Sequence, residues 1–369
     1  MDILFMVLCA TVVIGFLVFI HEGGHYLAAR AFGVRVTEFM LGLPGPSVGF
    51  TRGGTRFGVT AVPLGGYAKV CGMEAGEMKP HLKEVLASLY ERGTAEMETV
   101  ALDCGITDDE AFEALEELVE WGSVVAPTKK DQTNTYRAPA SYPVRRRRRR
   151  GPTVADDCAQ ARYALGEPRP VPDAAALFES EYCQQYRAQP FWKRSVILLA
   201  GIAVNLLFAM VAFIVIFSVI GMDLQLESGE VVHRTMSPLQ SVQAGFVYIG
   251  MVVQAVAGLF NPATAAQTVS DSTSIVGIAV MSKTYFEAGV VAALQFMAMI
   301  SVSLGVMNLL PIPPLDGGRF VVEVFQKLTR RLVSTRAMTY LSMAGMALFI
   351  GFFVIMLNQD VQRFILGNW

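Results

Sequence analysis

Histidine is scarce in this sequence, with four in 369 residues, yet two of them stand four apart in His21-Glu22-Gly23-Gly24-His25. On a helix that spacing puts both imidazoles on one face, where they can share a zinc ion. Glu22 then lies beside them, placed to take a proton from water that the metal activates. The bland alternative is two histidines at a helix–headgroup boundary, each hydrogen-bonded locally. Its position argues against that: a His-Glu-His cluster closing an apolar run is costly unless a metal or water offsets the desolvation. Gly23 and Gly24 each cost about 1 kcal/mol in a helix relative to alanine, so close packing or room for substrate is expected to require them.

Two histidines leave a catalytic zinc short of its third protein ligand. Asp316, in Asn308-Leu-Leu-Pro311-Ile-Pro-Pro314-Leu-Asp316-Gly317-Gly318, is the only acid between Glu287 and Glu323. Asp-Gly-Gly is also ordinary turn chemistry, which is the competing reading. An HExxH motif in need of a carboxylate favours the ligand.

These residues need a membrane scaffold, and the composition provides one. Hydrophobic residues make up 53% and charged residues 17%, against about a quarter charged in a soluble domain, and mean hydropathy is +0.43. The net charge of -2 excludes a uniformly basic nucleic-acid binder. Five cysteines, an odd number with no CxxC spacing, argue against a disulfide scaffold or a zinc ribbon. Ile3–Ile20 is uncharged and long enough to span a bilayer, and it lacks the basic start and cleavage site of a signal peptide. Ser195–Met222, Ala288–Leu315 and Ala337–Gln359 are further runs of spanning length. Gln243–Phe260 is shorter and broken by Gln254 and Gly258, so it reads as an interfacial helix and the expected count is four spans. Basic residues cluster after the first span (Arg30, Arg35, Arg52, Arg56, Lys69), before the second (Arg187, Lys193, Arg194) and between the third and fourth (Lys327, Arg330, Arg331, Arg336). By the positive-inside rule both termini face outside and residues 76–190 are cytoplasmic.

The fold class expected is therefore a polytopic α-helical membrane protein with a membrane-associated β-hairpin and an inserted cytoplasmic α/β domain. Its segments are 1–33 (first span with HExxH), 34–75 (β-hairpin region), 76–140 (inserted domain), 141–190 (Arg-rich and Pro-rich linker) and 191–369 (remaining membrane core). Residues 34–72 are Gly-rich and alternate in β fashion, with turns at Pro44-Gly45-Pro46 and Arg52-Gly53-Gly54. In the insertion, His81–Arg92 and Ala95–Cys104 read as helices. Thr107 and Glu110 form a capping box for a third, with Phe112, Leu115, Leu118 and Val119 on one face. Val124–Ala126 and Asn134–Ala138 then supply two strands of a wing, a winged-helix-like pattern. Such a domain often reads DNA, but residues 79–139 hold six Lys/Arg against thirteen acids, a net of -7. Most of those acids lie on the would-be recognition helix, where phosphates would repel them. A cytoplasmic protein partner of residues 79–140 fits better than nucleic acid. The six arginines Arg145–Arg150 read as a solvated linker or a contact for anionic headgroups of the bilayer. There is no internal repeat.

HEGGH near the end of a first span together with NLLPIPPLDGG near the end of a later one resembles the site-2 proteases, intramembrane zinc metalloproteases of peptidase family M50. The likeness is closest to the type that regulates sigma-E in bacteria. Ala61-Val-Pro-Leu-Gly-Gly-Tyr-Ala-Lys69 is similar to the family's membrane-associated hairpin. Lys193-Arg194-Ser195 leading to Ala200-Gly201-Ile-Ala-Val-Asn205 is similar to the start of its second helix, and Ser274-Ile-Val-Gly277 to the stretch before its third. The resemblance covers about 1–73 and 190–369. It implies that His21, His25 and Asp316 bind Zn2+ with Glu22 as general base. It also implies that Asn308 and Pro311, with the Pro-rich stretch beside them, position an extended substrate. Asn205 matches a family asparagine. The implied activity is hydrolysis of peptide bonds in or near transmembrane segments, in an inner or plasma membrane, with anti-sigma factors or remnant signal peptides as the implied substrates. The chain departs from that type twice. Only Met222 to about Met236 follows the second span, too little for a PDZ domain, and the insertion at about 76–189 is extra. A membrane-anchored sensor or adaptor with a degenerate protease core is the alternative. A metal transporter is less well matched, because the second and fourth spans carry no charge.

Overall fold

The structure is a computed structural model that describes residues 2–62, 65–74, 76–128, 131, 133–140, 163–225 and 231–365. The Arg145–Arg150 run lies outside the described residues. Helix α1 (Asp2–Ala31) carries the HExxH motif in its second half. Strands β1 (Val36–Leu41), β2 (Ser47–Arg52), β3 (Thr55–Thr60) and β4 (Gly66–Val70) follow it. They form a four-stranded sheet in the order β2-β3-β1-β4 rather than a single hairpin. Gly53 and Gly54, both at positive φ, make the tight turn between β2 and β3, as two-residue hairpin turns demand. What the sequence pattern hides is that β1 pairs β3 in parallel and β4 antiparallel, with a register shift near Val36 that blurs its alternation. Strand β4 is left at the edge of the sheet, against α1.

The insertion runs α2 (Leu82–Arg92), β5 (Thr94–Glu96), α3 (Met97–Cys104), α4 (Asp108–Glu120) and β6 (Thr135–Arg137). The Thr107–Glu110 capping box forms at the start of α4 as the sequence requires. The buried stripe of α4 is Ala111, Ala114, Leu115 and Leu118, while Phe112 stays exposed, so the apolar face is rotated from the expected one. Thr94–Glu96 is a strand rather than the start of a helix, because it pairs with β6, whose Arg137 also bridges Val125. Residues 163–190 are more than a linker. Helix α5 (Ala174–Tyr182) packs Phe178 and Tyr182 against the buried Trp121, at ring separations of 5.7 and 5.8 Å.

An arginine helps fasten the insertion to the half that carries the HExxH motif. Arg35, between α1 and β1, pairs with Glu181 at 2.8 Å and donates to the carbonyl of Gly122, to Ser123 Oγ and to Gln184 Oε1. Removing one partner of a buried pair strands the other charge. Arg35→Ala is therefore expected to destabilise the junction by about 3–5 kcal/mol, read as earlier thermal unfolding and faster proteolytic release of the insertion.

The membrane core continues with α6 (Phe191–Ile214), a short hairpin β7 (Met222–Gln225) and β8 (Val231–Arg234), α7 (Pro238–Gly258), α8 (Ala265–Asp271), α9 (Ile275–Glu287), α10 (Val290–Asn308), α11 (Asp316–Thr329) and α12 (Thr335–Asp360). Among the described residues, five helices are long and apolar enough to cross a membrane: Ile3–Ala31, Phe191–Ile220, Pro238–Gly258, Val290–Asn308 and Thr335–Arg363. The architecture is that of a polytopic α-helical membrane protein. Four of the five match the expected runs. The other, α7, extends beyond the apolar run at its N-terminus because Ser237 and Gln240 cap it. It packs Gly245 against Met210 and Phe213 of α6 and places Ser241 Oγ 2.7 Å from Ser218 Oγ.

Helix directions limit what α7 can do to the topology. Helix α1 is antiparallel to α6, with Phe16 on Phe208 and His25 on Ile197. Helix α10 is also antiparallel to α6, with Ser301 Oγ donating to the Asn205 carbonyl and Gly305 beside Ile202 and Leu206. The chain from the end of α6 to the start of α10 therefore returns to the side it left, whatever depth α7 reaches.

Candidate metal centre

Three side chains converge where α1, α6 and the start of α11 meet. His21 Nε2 and His25 Nε2 are 3.3 Å apart. Asp316 Oδ2 lies 3.1 Å from the first and 3.2 Å from the second. Both histidines are buried. The arrangement fits a zinc ion. Ligand bonds of about 2.0–2.1 Å in a tetrahedron separate the donor atoms by about 3.3–3.4 Å, close to the three distances observed. Two imidazoles and one carboxylate also leave a fourth position for water or substrate. Asp316 supplies the one carboxylate oxygen among the three donors.

The surroundings fix the donors. His25 Nδ1 is 2.8 Å from the Ile197 carbonyl, which can only accept, so the ring proton sits on Nδ1 and the Nε2 lone pair is free. His21 Nδ1 is 3.2 Å from the side-chain amide of the fully buried Asn205. A neutral His21 that offers Nε2 to a cation carries its proton on Nδ1, so the amide must turn Oδ1 toward it. Asn205→Leu is expected to weaken zinc binding by about 10–100-fold, the usual scale for losing a partner that orients a ligand, measured by competition with a chelator.

Glycines set the clearance. A Cβ on Gly24 would lie 2.6 Å from the Ala200 carbonyl oxygen, so α1 and α6 touch through backbone there, whereas Gly23 has open space around it. Of the two glycines in the motif, only Gly24 is demanded by packing. A Cβ on Gly201 would run into His25 Nε2 and His21 Cε1. Gly201→Ala is expected to push both rings out of register and leave the purified protein with far less than stoichiometric zinc, measured by elemental analysis.

Glu22 lies within electrostatic reach of His25, His21 and Asp316. Its Oε2 accepts from the backbone N–H of Ala68 at 2.9 Å, so β4 holds the carboxylate. That N–H points away from β1, along the free edge of the sheet. Asn308 ends α10, half-buried, and Pro311 is exposed in the turn before α11. No hydrogen bond joins either to the His-His-Asp cluster among the described residues.

The chain matches the family model "Peptidase family M50" over residues 9–352. It belongs to peptidase family M50. M50 relatives match along nearly their whole length. A protein of Agrobacterium fabrum, provisionally named a zinc metalloprotease, is 25% identical over 377 residues, covering 96% of this chain and 94% of its own. One from Mesorhizobium japonicum with the same kind of name is 27% identical over 355 residues, covering 91% and 93%. The zinc metalloprotease RasP of Geobacillus kaustophilus is 23% identical over 447 residues, covering 96% and 97%. This M50 chain is a metalloendopeptidase of the site-2 protease family and a multi-pass membrane protein.

Some contributors left no mark in the sequence. The Ala68 N–H and the Ile197 carbonyl are backbone groups, which any residue type supplies. Gly201 could have been found, since a glycine one turn before Asn205 in a helix costs stability and so needs a reason.

Proposed function

We propose that the chain is a zinc-dependent intramembrane endopeptidase that hydrolyses peptide bonds in or beside transmembrane segments of other membrane proteins. The observation that carries this reading is the triangle of His21, His25 and Asp316 donors, buried between helices long enough to span, with Glu22 held beside it. His21, His25 and Asp316 hold the ion. Zinc, when bound, supplies Lewis acidity toward the scissile carbonyl and lowers the pKa of a water. Glu22 takes the proton as that water attacks and returns it to the departing amine, so that one water is consumed per bond broken. The Ala68 N–H keeps the Glu22 carboxylate aimed while it does so.

A substrate helix must unwind first, because its carbonyls are engaged. The edge strand β4 offers a template for the unwound segment, with Asn308, at the end of α10, and Pro311, in the stretch before α11, to guide it. On this reading the chain makes four full crossings, and the clusters of basic residues argue for both termini outside and residues 76–190 in the cytoplasm, with α7 entering from outside and the chain returning there. The order helix, strand, helix, helix, strand over residues 82–137, with Val125 bridging the last strand, supports a winged-helix-like reading of the insertion. Its acid excess fits a protein partner. Anti-sigma factors and remnant signal peptides are substrates of the right kind, single segments already in the bilayer.

The test is cleavage of a single-span substrate in proteoliposomes, with and without chelator. Cleavage that stops on chelation and returns with added zinc supports the reading. Cleavage indifferent to chelation removes it.

A further inference from the structure

Asp316 has to reach two histidines on another helix, and α11 has little with which to hold itself in place. Its buried residues are Gly317, Gly318 and Glu323. The two glycines wedge its first turn against the backbone of Leu309, Leu310, Ile312 and Pro313. Neither has a side chain to resist rotation about the helix axis. Phe320 packs half-buried on the cluster where α1 meets the start of α6, and Val322 and Val324 are half-buried as well. Glu323 is the one buried side chain among the three, and it stands seven residues after Asp316, two turns along on the same face.

Glu323 is paired. Its carboxylate lies 3.0 Å from Arg194, in the first turn of α6. Tyr186 completes the cluster: it is buried, its hydroxyl lies beside Glu323 and its ring centre is 5.9 Å from the Arg194 guanidinium carbon. Helix α6 also supplies Asn205 to His21 and the Ile197 carbonyl to His25. The pair therefore ties the helix bearing the third donor to the helix that orients the first two.

Resting on the metal-site reading above, we propose that Arg194 and Glu323 are positioning residues for the zinc centre: their buried ion pair fixes the rotation of α11 and so the reach of Asp316. Neither touches the metal. Truncating either leaves the partner charge buried and unpaired, and α11 turns to relieve it, carrying Asp316 off the histidines. Tyr186 lies where the chain leaves the inserted domain, its backbone N–H donating to the Cys71 carbonyl at 2.9 Å. The same cluster thus joins the insertion's exit to the metal.

The experiment measures zinc loss to a chelator from the full-length protein in detergent, with circular dichroism and thermal unfolding as checks on the fold. The variants are Glu323→Gln, Arg194→Ala, the exchanged pair Arg194→Glu with Glu323→Arg, and Asp316→Ala as reference. Glu323→Gln keeps the volume and guards against misfolding. Each single change at 194 or 323 is expected to weaken zinc binding by about tenfold or more, and the exchanged pair to recover most of it. If Asp316→Ala loosens zinc while Glu323→Gln and Arg194→Ala bind as wild type, the positioning role is wrong and the metal site stands. If the exchanged pair is no better than the single changes, the ion pair is not what holds α11. Wild-type zinc affinity in Asp316→Ala would overturn the site and this inference together.

Discussion

Glu22→Gln is expected to reduce turnover by about 100- to 10,000-fold, the range for removing a positioned general base, with zinc still bound at the wild-type level. Glutamine is nearly isosteric, and its carbonyl oxygen can accept the Ala68 N–H as the carboxylate does. The chain therefore keeps its geometry and loses only the ability to take a proton. Zinc analysis of the purified variant beside single-turnover cleavage separates the two effects. Equal loss of zinc and of activity would mean that Glu22 is structural.

Asp316→Ala should act in the opposite order, on the metal before the chemistry. It removes the only carboxylate of the cluster and leaves two neutral imidazoles facing a buried position. A catalytic zinc site needs three protein donors, and losing one of them costs more than the roughly 10–100-fold typical of an outer partner. Zinc binding is expected to fall by more than about a hundredfold, with cleavage restored in part by excess zinc. Retention of tight zinc would require another carboxylate, such as that of Glu22, to replace it.

The HExxH motif was legible because its spacing matches the helix period, and the residues on either side of it are apolar enough to make the helix certain. Asp316 was legible for another reason, its isolation as an acid in a long uncharged stretch. The sheet was half legible: the Arg52-Gly53-Gly54 turn signals β2 and β3, but parallel pairing of β1 with β3 depends on distant strands and has no local mark. The buried face of α4 was misread at Phe112, since α5, which helps cover the core there, lies about sixty residues on in a stretch that reads as linker. Helix α7 starts earlier than its apolar run, at Pro238, because Ser237 and Gln240 cap it, runs through Gln254 and ends at Gly258. The Arg194–Glu323 pair shows the limit most plainly. Both residues carry charge near membrane boundaries, where charge usually signals solvent. Only the packing of α11 against α6 shows Glu323 buried, Arg194 half-buried and the two joined.

The central claim is that this chain cuts a peptide bond within or beside a membrane span with the machinery around His21, His25, Asp316 and Glu22. Mass spectrometry of the products from a single-span substrate, reconstituted with wild type or with Glu22→Gln, tests it most directly. The account predicts one or a few cleavage sites in or next to the span for wild type and none for Glu22→Gln. Products that persist unchanged with Glu22→Gln, or cuts confined to the soluble domains of the substrate, would contradict it.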